Sequence, residues 1–259
     1  MKTLVGILKK NKAWIISILS ALAFLGIWEI TAAVINVQII LPRIGDVAIA
    51  LGEILIIPKS YITIGMSLLR CLISFSAAFV LGVLLGILGG ISKTLAAAIR
   101  PLTVVLKSMP TMAIVLILML AIGKDASPIV IGIMLVFPVI YETVKTAVEN
   151  IDIRIIELAR LDGITAAESV RHIYIPITMP YIAGAVASSA GLTIKGVISA
   201  EIVAYTAMSI GWEMKIASAA STLTEIPKLF AWVIIVLALS ILFESALKLL
   251  FTRAGKQIS

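Results

Sequence analysis

The chain has 259 residues, of which 61% are hydrophobic and 14% are charged, and its mean hydropathy is +1.17. A soluble domain is about half apolar and about a quarter charged, so this composition excludes a soluble globular protein. The net charge of +7 comes from 21 Lys and Arg against 14 Asp and Glu. In a membrane protein such an excess is typical of cytoplasmic loops rather than of nucleic-acid binding.

Six stretches are each long enough to cross about 30 Å of hydrocarbon, which takes about 20 helical residues. They are approximately Trp14–Asn36, Ile62–Gly90, Leu102–Ile122, Pro128–Val148, Pro180–Tyr205 and Leu229–Phe251. The first is too long for the apolar region of a signal peptide, so we interpret it as a retained span. We therefore predict an all-α polytopic bundle in which residues 1–259 form a single transmembrane domain.

The basic residues are divided unevenly between the two sides of this bundle. With six spans and the N-terminus inside, most of the 21 Lys and Arg fall in cytoplasmic connections. This asymmetry predicts that both termini are cytoplasmic. The core then covers about residues 60–251, after a first span at about 14–36, and the connection at residues 149–180 lies in the cytoplasm.

The longest mixed polar segment is Glu157–Pro176, ELARLDGITAAESVRHIYIP. Asp162 and Gly163 form a turn signal, because glycine adopts the positive φ that a helix exit needs. Thr165 and Glu168 have capping-box spacing. We expect two short helices joined at Gly163, with Pro176 and Pro180 ending the second one. Such a helical pair between two spans is typical of a docking element.

Other segments bear on helix packing. Two outer segments, Leu41–Ile57 and Gly211–Pro227, are amphipathic and are expected to lie at the membrane surface. Glycines recur every four residues at Gly82, Gly86 and Gly90, which allows close packing within one subunit, the alternative we favour, or between two. Prolines inside apolar runs, at Pro110 and Pro138, are expected to kink their helices.

Motifs for energy conversion and catalysis are absent from the sequence. There is no G-x-x-x-x-G-K-[ST] loop, no C-x-x-C and no G-x-S-x-G, and the single histidine is His172. The spans contain too few acids for a proton relay. A polytopic chain with a cytoplasmic docking element and no energy site is therefore expected to draw energy from a partner, and we predict no enzymatic activity.

The docking segment resembles the coupling-loop (EAA) motif of bacterial ABC importer permeases of the binding-protein-dependent type. That pattern is E-A-A, three residues, G, nine residues, I-x-L-P, and all its spacings are kept here. Leu158 stands where the first Ala is usual, which alters the docking surface, and Ile175 replaces Leu. The residues that the resemblance assigns to the coupling helix and its loop are Glu157, Ala159, Arg160, Asp162, Gly163, Ile164, Ile173 and Pro176.

Further segments are similar to the nitrate/sulfonate/taurine branch of these permeases, namely Pro101–Gly123, Phe137–Asp152 and Ala200–Ala204. The branch usually has Gly-Leu-Gly where this chain has Ser209–Trp212. The resemblance implies a type I (MetI-like) permease fold in a bacterial inner membrane. It also implies import of a small solute, either sulfonate-, nitrate- or taurine-like, or related to a thiamine precursor or riboflavin.

The same resemblance implies a set of partners. They are a second copy of the chain, cytoplasmic ATP-binding cassette subunits that bind ATP-Mg, and an extracytoplasmic solute-binding protein or lipoprotein. No cofactor is expected on this chain itself. Closure of the ATPase would move the coupling loop as a lever. Apolar residues expected to fill the ATPase groove in a helix-in-groove mode are Ile164, Ala167, Val170 and Ile173.

Candidate pathway residues lie mainly in the fifth predicted span. Lys195 and Glu201 are six residues apart, about 600° around a helix, so they are expected to point apart. Lys195 either attracts an anionic solute or pairs elsewhere, and Glu201 either lines the pathway or has a structural role. Small polar and kink residues that could line a pathway, or serve helix packing, are Ser189, Thr193, Ser199, Ser108 and Met109.

Two other classes of protein fit the sequence less well. A stand-alone secondary carrier for a small anion would need coupling-ion sites and inverted repeats, which the sequence does not display. A membrane enzyme would need a nucleophile with a base, or a metal site, and neither is present.

Overall fold

The structure, a computed structural model, describes residues 2–220 and 225–258, and the regular structure of these residues is entirely helical. In chain order the helices are α1 (Lys2–Ile35), α2 (Ile44–Ile56), α3 (Pro58–Ile91), α4 (Lys93–Ser108), α5 (Thr111–Ile122), α6 (Ser127–Glu149), α7 (Ile153–Leu161), α8 (Ala166–Ser169), a π-helical turn (Val170–Tyr174), α9 (Ile175–Ala204), α10 (Ile210–Ala220) and α11 (Glu225–Ile258).

Five helical segments are long and apolar enough to cross a membrane. They are Ile15–Ile35, Pro58–Ile91, Ser127–Glu149, Val170–Ala204 and Glu225–Phe251. The pair α4 and α5 makes a sixth crossing if it is counted as one broken span, because its two halves are bent by 103°. This count confirms the polytopic helical bundle predicted from the sequence.

The third predicted span is broken, rather than continuous over Leu102–Ile122. The break falls at Met109 and Pro110, both in extended backbone conformations. Proline has no N–H to donate and disfavours a helical conformation in the residue before it, which explains the break. The expected disruption at Pro110 is thus confirmed, and α4 is a separate helix that begins well before the predicted span.

Two compact units can be distinguished by their internal contacts. One contains the chain up to Ser60 together with Ile216–Val233. Within it, the amphipathic segment predicted at Leu41–Ile57 forms α2, whose Val47, Ala50 and Ile54 are buried. The turn before α2 is fixed by Trp28, whose Nε1–H donates to the carbonyl of Pro42 at 3.0 Å, and by Glu29, whose carboxylate accepts the Ile44 N–H at 3.1 Å.

The second amphipathic segment, predicted at Gly211–Pro227, is helical as α10 and at the start of α11. Its residues 221–224 lie outside the described part of the chain. Helix α10 begins one residue before the predicted segment, at Ile210.

The other unit contains Tyr61–Lys215 and the chain from Ile234 onward. Its core is built by α6 and α9, whose most deeply buried apolar side chains include Val136, Ile140, Val144, Val186 and Ala190. Such close helix contact is what a bundle in lipid requires, because packing rather than the hydrophobic effect drives association there.

The glycines of α3 allow it to approach α6 closely. A Cβ atom added to Gly82 would lie 2.8 Å from the Cβ of Ile140, and one on Gly86 would lie 2.8 Å from the Cβ of Val144. At Gly90 the nearest atom, the Cβ of Val148, would be only 2.5 Å away. The glycine repeat therefore serves packing within one chain, the alternative favoured from the sequence.

Prolines inside the long helices do not end them. Pro176 was expected to end the second short helix, and this was wrong, because the π-helical turn at Val170–Tyr174 continues through it into α9 without a break. Pro180 was also expected to end that helix, and this was wrong, because Pro180 lies inside α9, which continues to Ala204. Neighbouring helices can compensate the lost hydrogen bond in a membrane bundle. Pro138 likewise lies inside the continuous helix α6.

Candidate functional site

The polar segment predicted to dock a partner starts with α7, which is anchored to the core of its unit. Its first turn is capped by Asp152, whose carboxylate accepts the Arg154 N–H at 2.9 Å. On its inner face Ile156 and Ala159 are each only 5% exposed, and Ile156 belongs to the main core. This anchoring fixes the direction of the helix relative to α6 and α9.

Helix α7 ends at the glycine predicted to form the turn. Gly163 has φ of +77°, and the next N–H, of Ile164, donates to the carbonyl of Ala159 at 3.0 Å. That six-residue hydrogen bond across a left-handed glycine is the Schellman helix end. The expected turn at Gly163 is therefore confirmed.

The predicted capping box is also present. The N–H and hydroxyl of Thr165 donate to the Glu168 carboxylate at 2.9 and 2.7 Å, and the Glu168 N–H donates back to the Thr165 hydroxyl at 3.3 Å. These donors, the Thr165 N–H first, hold the pKa of Glu168 below its usual value. The short helix that follows runs through the π-helical turn into α9, so the loop and a spanning helix are mechanically continuous.

Two leucines of this loop are exposed. Leu158 is 61% exposed and Leu161 is 83% exposed. In contrast, Ile164, Val170 and Ile173 are half-buried, and the last two pack against the main core. Sequence reasoning did not single out Leu161, although an apolar residue three positions after Leu158 on a short polar helix was an available signal.

The remaining residues of the predicted coupling loop are placed as follows. Glu157 and Asp162 are exposed, and Pro176 is half-buried in the first turn of α9. The side chains of Arg160 and Ala167 lie outside the described residues.

The polar residues of α9 divide between its two sides. Ser189 and Thr193 are fully buried, and the Thr193 hydroxyl donates to the carbonyl of Ser189 at 2.8 Å. Ser199 is half-buried. Lys195 is exposed, and its ammonium has no partner in the part of the chain that the structure describes.

Glu201 has the opposite environment. Its carboxylate is wholly buried and accepts hydrogen bonds from Ser67 Oγ at 2.9 Å, Arg70 Nη1 at 3.1 Å and the Gly211 N–H at 3.2 Å. The Ile210 N–H donates to Ser67 Oγ at 2.9 Å, which ties the start of α10 into the same network. Lys195 and Glu201 thus have opposite environments, as expected from their spacing.

Sequence reasoning missed Ser67 and Arg70 as partners of Glu201. The available signal was a serine and an arginine one turn apart in the second predicted span, together with an unpaired acid in the fifth. A charge inside a span requires such a partner.

The two candidates near the break in the third span are exposed. Ser108 ends α4 and its hydroxyl donates to the carbonyl of Val104 at 2.7 Å. Met109 follows at the bend and is 42% exposed. The neighbouring Lys107 forms an ion pair with Glu142 of α6.

Comparison with known proteins agrees with these features. Residues 78–256 match the family described as the binding-protein-dependent transport system inner membrane component. The chain is 22% identical over 245 residues to the putative aliphatic sulfonates transport permease protein of Bacillus subtilis (strain 168), covering 93% of this chain and 87% of that protein.

Two further relatives match over about half of their length. The nitrate import permease protein of Leptolyngbya laminosa is 30% identical over 142 residues, which is 54% of this chain and 50% of the relative. The bicarbonate transport system permease protein of Synechococcus elongatus is 30% identical over 148 residues, 56% of this chain and 53% of the relative. Because the family match covers most of the chain, the protein belongs to the binding-protein-dependent inner membrane components and is a multi-pass permease subunit of an ABC importer, not an enzyme.

Proposed function

We propose that this permease imports a small oxyanion, that two copies of the chain enclose the pathway, and that residues 157–176 connect it to the ATPase. The observation that carries the choice of cargo is the exposed ammonium of Lys195 on a spanning helix, which has no acidic partner among the described residues. The relatives named above are permeases for aliphatic sulfonates, nitrate and bicarbonate, all of which are anions.

The position of Lys195 along α9 supports a role in the pathway. Nine residues separate it from the end of the helix at Ala204, which is about 14 Å at a rise of about 1.5 Å per residue. At that depth an ammonium is costly in lipid and is expected to face a cavity or a partner. An anion in a water-filled pathway supplies a negative charge to pair with the Lys195 ammonium, whereas a thiamine precursor or riboflavin does not.

The face of α9 around Lys195 supports a second copy of the chain as partner. Gly184, Ser188 and Gly191 are spaced so that they lie on the same side as Lys195. A Cβ atom added to Gly184 or Gly191 would meet no atom within 4 Å. Small residues let helices approach closely, so a second copy packed there brings two Lys195 side chains toward one pathway.

The coupling role of residues 157–176 is supported by their shape. The inner face of α7 is anchored by Ile156 and Ala159, and the loop runs without interruption into α9. Leu158 and Leu161 leave apolar area exposed on the outer side, which suits insertion into a groove of the ATPase. ATP-Mg binds to that partner, and its closure moves the loop and α9 together.

Uptake in proteoliposomes tests the proposed cargo. The complex of permease, ATPase and binding protein is reconstituted, and ATP-driven uptake of nitrate, bicarbonate and methanesulfonate is measured. We expect one of these anions to be taken up, Lys195→Gln to reduce its uptake at least about tenfold, and Lys195→Arg to restore most of it, because arginine keeps the charge.

The matched control is Lys124→Gln, which removes one exposed lysine outside the spans and is expected to leave uptake unchanged. Uptake by Lys195→Gln equal to that of the wild type would remove Lys195 from the pathway. Transport of a neutral or cationic solute alone would refute the anion assignment.

A further inference from the structure

Helix α4 has a continuous basic face. Lys93, Arg100 and Lys107 are spaced seven residues apart, so successive side chains are offset by only about 20° around the helix. Next to this face, Ile99 and Thr103 are buried, and Ile99 belongs to the core of the unit. The basic face therefore has a defined direction, because the buried face fixes how the helix is rotated.

An open cleft of about 570 Å³ lies between this face and α6. The charged side chains that line it are Lys93 and Arg100 from α4 and Glu142, Lys145 and Glu149 from α6. Such a cleft, with several charges on rigid helices, is large enough for a tetrahedral oxyanion with part of its hydration shell.

The charges of the cleft do not cancel. Glu142 is paired with Lys107, and Glu149 is paired with Lys145 at 2.8 Å. Within the described residues this leaves the ammonium of Lys93 and the guanidinium of Arg100 without an acidic partner. Two cations on one helix face, both directed to the same cleft, create a local excess of positive charge.

Tyr141, which lines the same cleft, has a buried hydroxyl without a hydrogen-bond partner among the described residues. The residue is only 2% exposed. Gly89 leaves the space that this hydroxyl occupies, since an added Cβ there would lie 2.9 Å from Oη. A buried hydroxyl without an acceptor is unfavourable, so an acceptor supplied from outside the chain would be stabilised.

From this arrangement we propose that the cleft between α4 and α6 is a binding site for an oxyanion of the phosphate class. Arg100 supplies planar paired donors, Lys93 supplies a second cation, and the Tyr141 hydroxyl donates to one oxygen of the ligand. The oxyanion comes either from the headgroup phosphate of a membrane lipid or from free phosphate. The site is separate from Lys195 and does not depend on which solute is imported.

The test uses the full chain in dodecyl maltoside, a detergent without phosphate, at constant ionic strength. Sodium phosphate is titrated, and the midpoint of thermal unfolding gives its dissociation constant. We expect phosphate to stabilise the wild type and the double variant Lys93→Gln/Arg100→Gln to bind at least about tenfold more weakly. Tyr141→Phe is expected to weaken binding by a smaller factor.

A matched double variant, Arg43→Gln/Lys59→Gln, removes one arginine and one lysine that are exposed and do not line the cleft. It is expected to bind phosphate as the wild type does. An equal loss in both double variants would show a nonspecific effect of net charge and would overturn the proposal.

Native mass spectrometry from bilayers containing phosphatidylglycerol distinguishes the two sources. If the lipid fills the site, the wild type retains phosphatidylglycerol more strongly than Lys93→Gln/Arg100→Gln, and added lipid abolishes the effect of phosphate. If free phosphate is the ligand, retention is equal and the phosphate effect persists with lipid present. Absence of any phosphate effect, together with equal lipid retention, would contradict the proposal.

Discussion

Glu201 depends on residues far away in the sequence. Its buried carboxylate is bound by Ser67 and Arg70 of α3 and by the N–H of Gly211, so one side chain connects α3, α9 and the start of α10. A buried ion pair adds little over an apolar pair, but leaving one member alone is strongly unfavourable.

We therefore predict that Arg70→Leu lowers the free energy of unfolding by about 3–5 kcal/mol, because it leaves the Glu201 carboxylate buried and unpaired. The double variant Arg70→Leu/Glu201→Leu should recover much of this loss. Both are measured by chemical unfolding in detergent. A double variant less stable than Arg70→Leu alone would show that the carboxylate does not need this partner.

A second prediction concerns Glu168, whose lowered pKa makes the capping box sensitive to acid. Because the folded-state pKa is depressed below 4.5, its stabilisation is complete above about that pH and is lost as pH falls through the lowered value. Thr165→Val removes the hydroxyl donor, so the Glu168 pKa should rise toward its usual value. Titration followed by NMR measures this, and an unchanged pKa would show that the hydroxyl does not bind the carboxylate.

At the scale of helices, the contact of α3 with α6 yields a third prediction. Gly86→Ala should destabilise the protein by about 1–3 kcal/mol, since its Cβ would lie 2.8 Å from the Cβ of Val144 and 3.0 Å from the carbonyl of Tyr141. Gly65→Ala on the same helix is the control, because its Cβ would meet no atom within 4 Å. Thermal unfolding in detergent compares them, and equal stability of the two variants would contradict close packing at Gly86.

The elements that the sequence predicted well are those specified by local pattern. Apolar length identified the spans, and the turn at Gly163 and the Thr165–Glu168 box follow from residue types a few positions apart. The separate helix α4 was not predicted, because its apolar residues and those of α5 form one continuous hydrophobic stretch in the sequence. Pairing across the chain was also missed, since Arg70 and Glu201 are 131 residues apart.

At the scale of the whole molecule, the permease supplies the pathway while ATP hydrolysis occurs in a partner. The family match and the relatives identify the class of transporter. A contact with another subunit has to be inferred from side chains that a single copy leaves exposed. We propose that Leu158 and Leu161 make such a contact, because both are exposed on a helix outside the apolar spans.

The most direct test of the central claim is the effect of Leu158→Glu/Leu161→Glu on the reconstituted complex. Association with the ATPase and ATP-driven uptake are measured together, with Leu158→Met/Leu161→Met as an apolar control of similar volume. We predict that the glutamate variant folds normally, because both side chains are exposed, and loses association and uptake at least about tenfold, while the control retains both. Normal association and uptake by the glutamate variant would contradict the assignment of residues 157–176 as the coupling element.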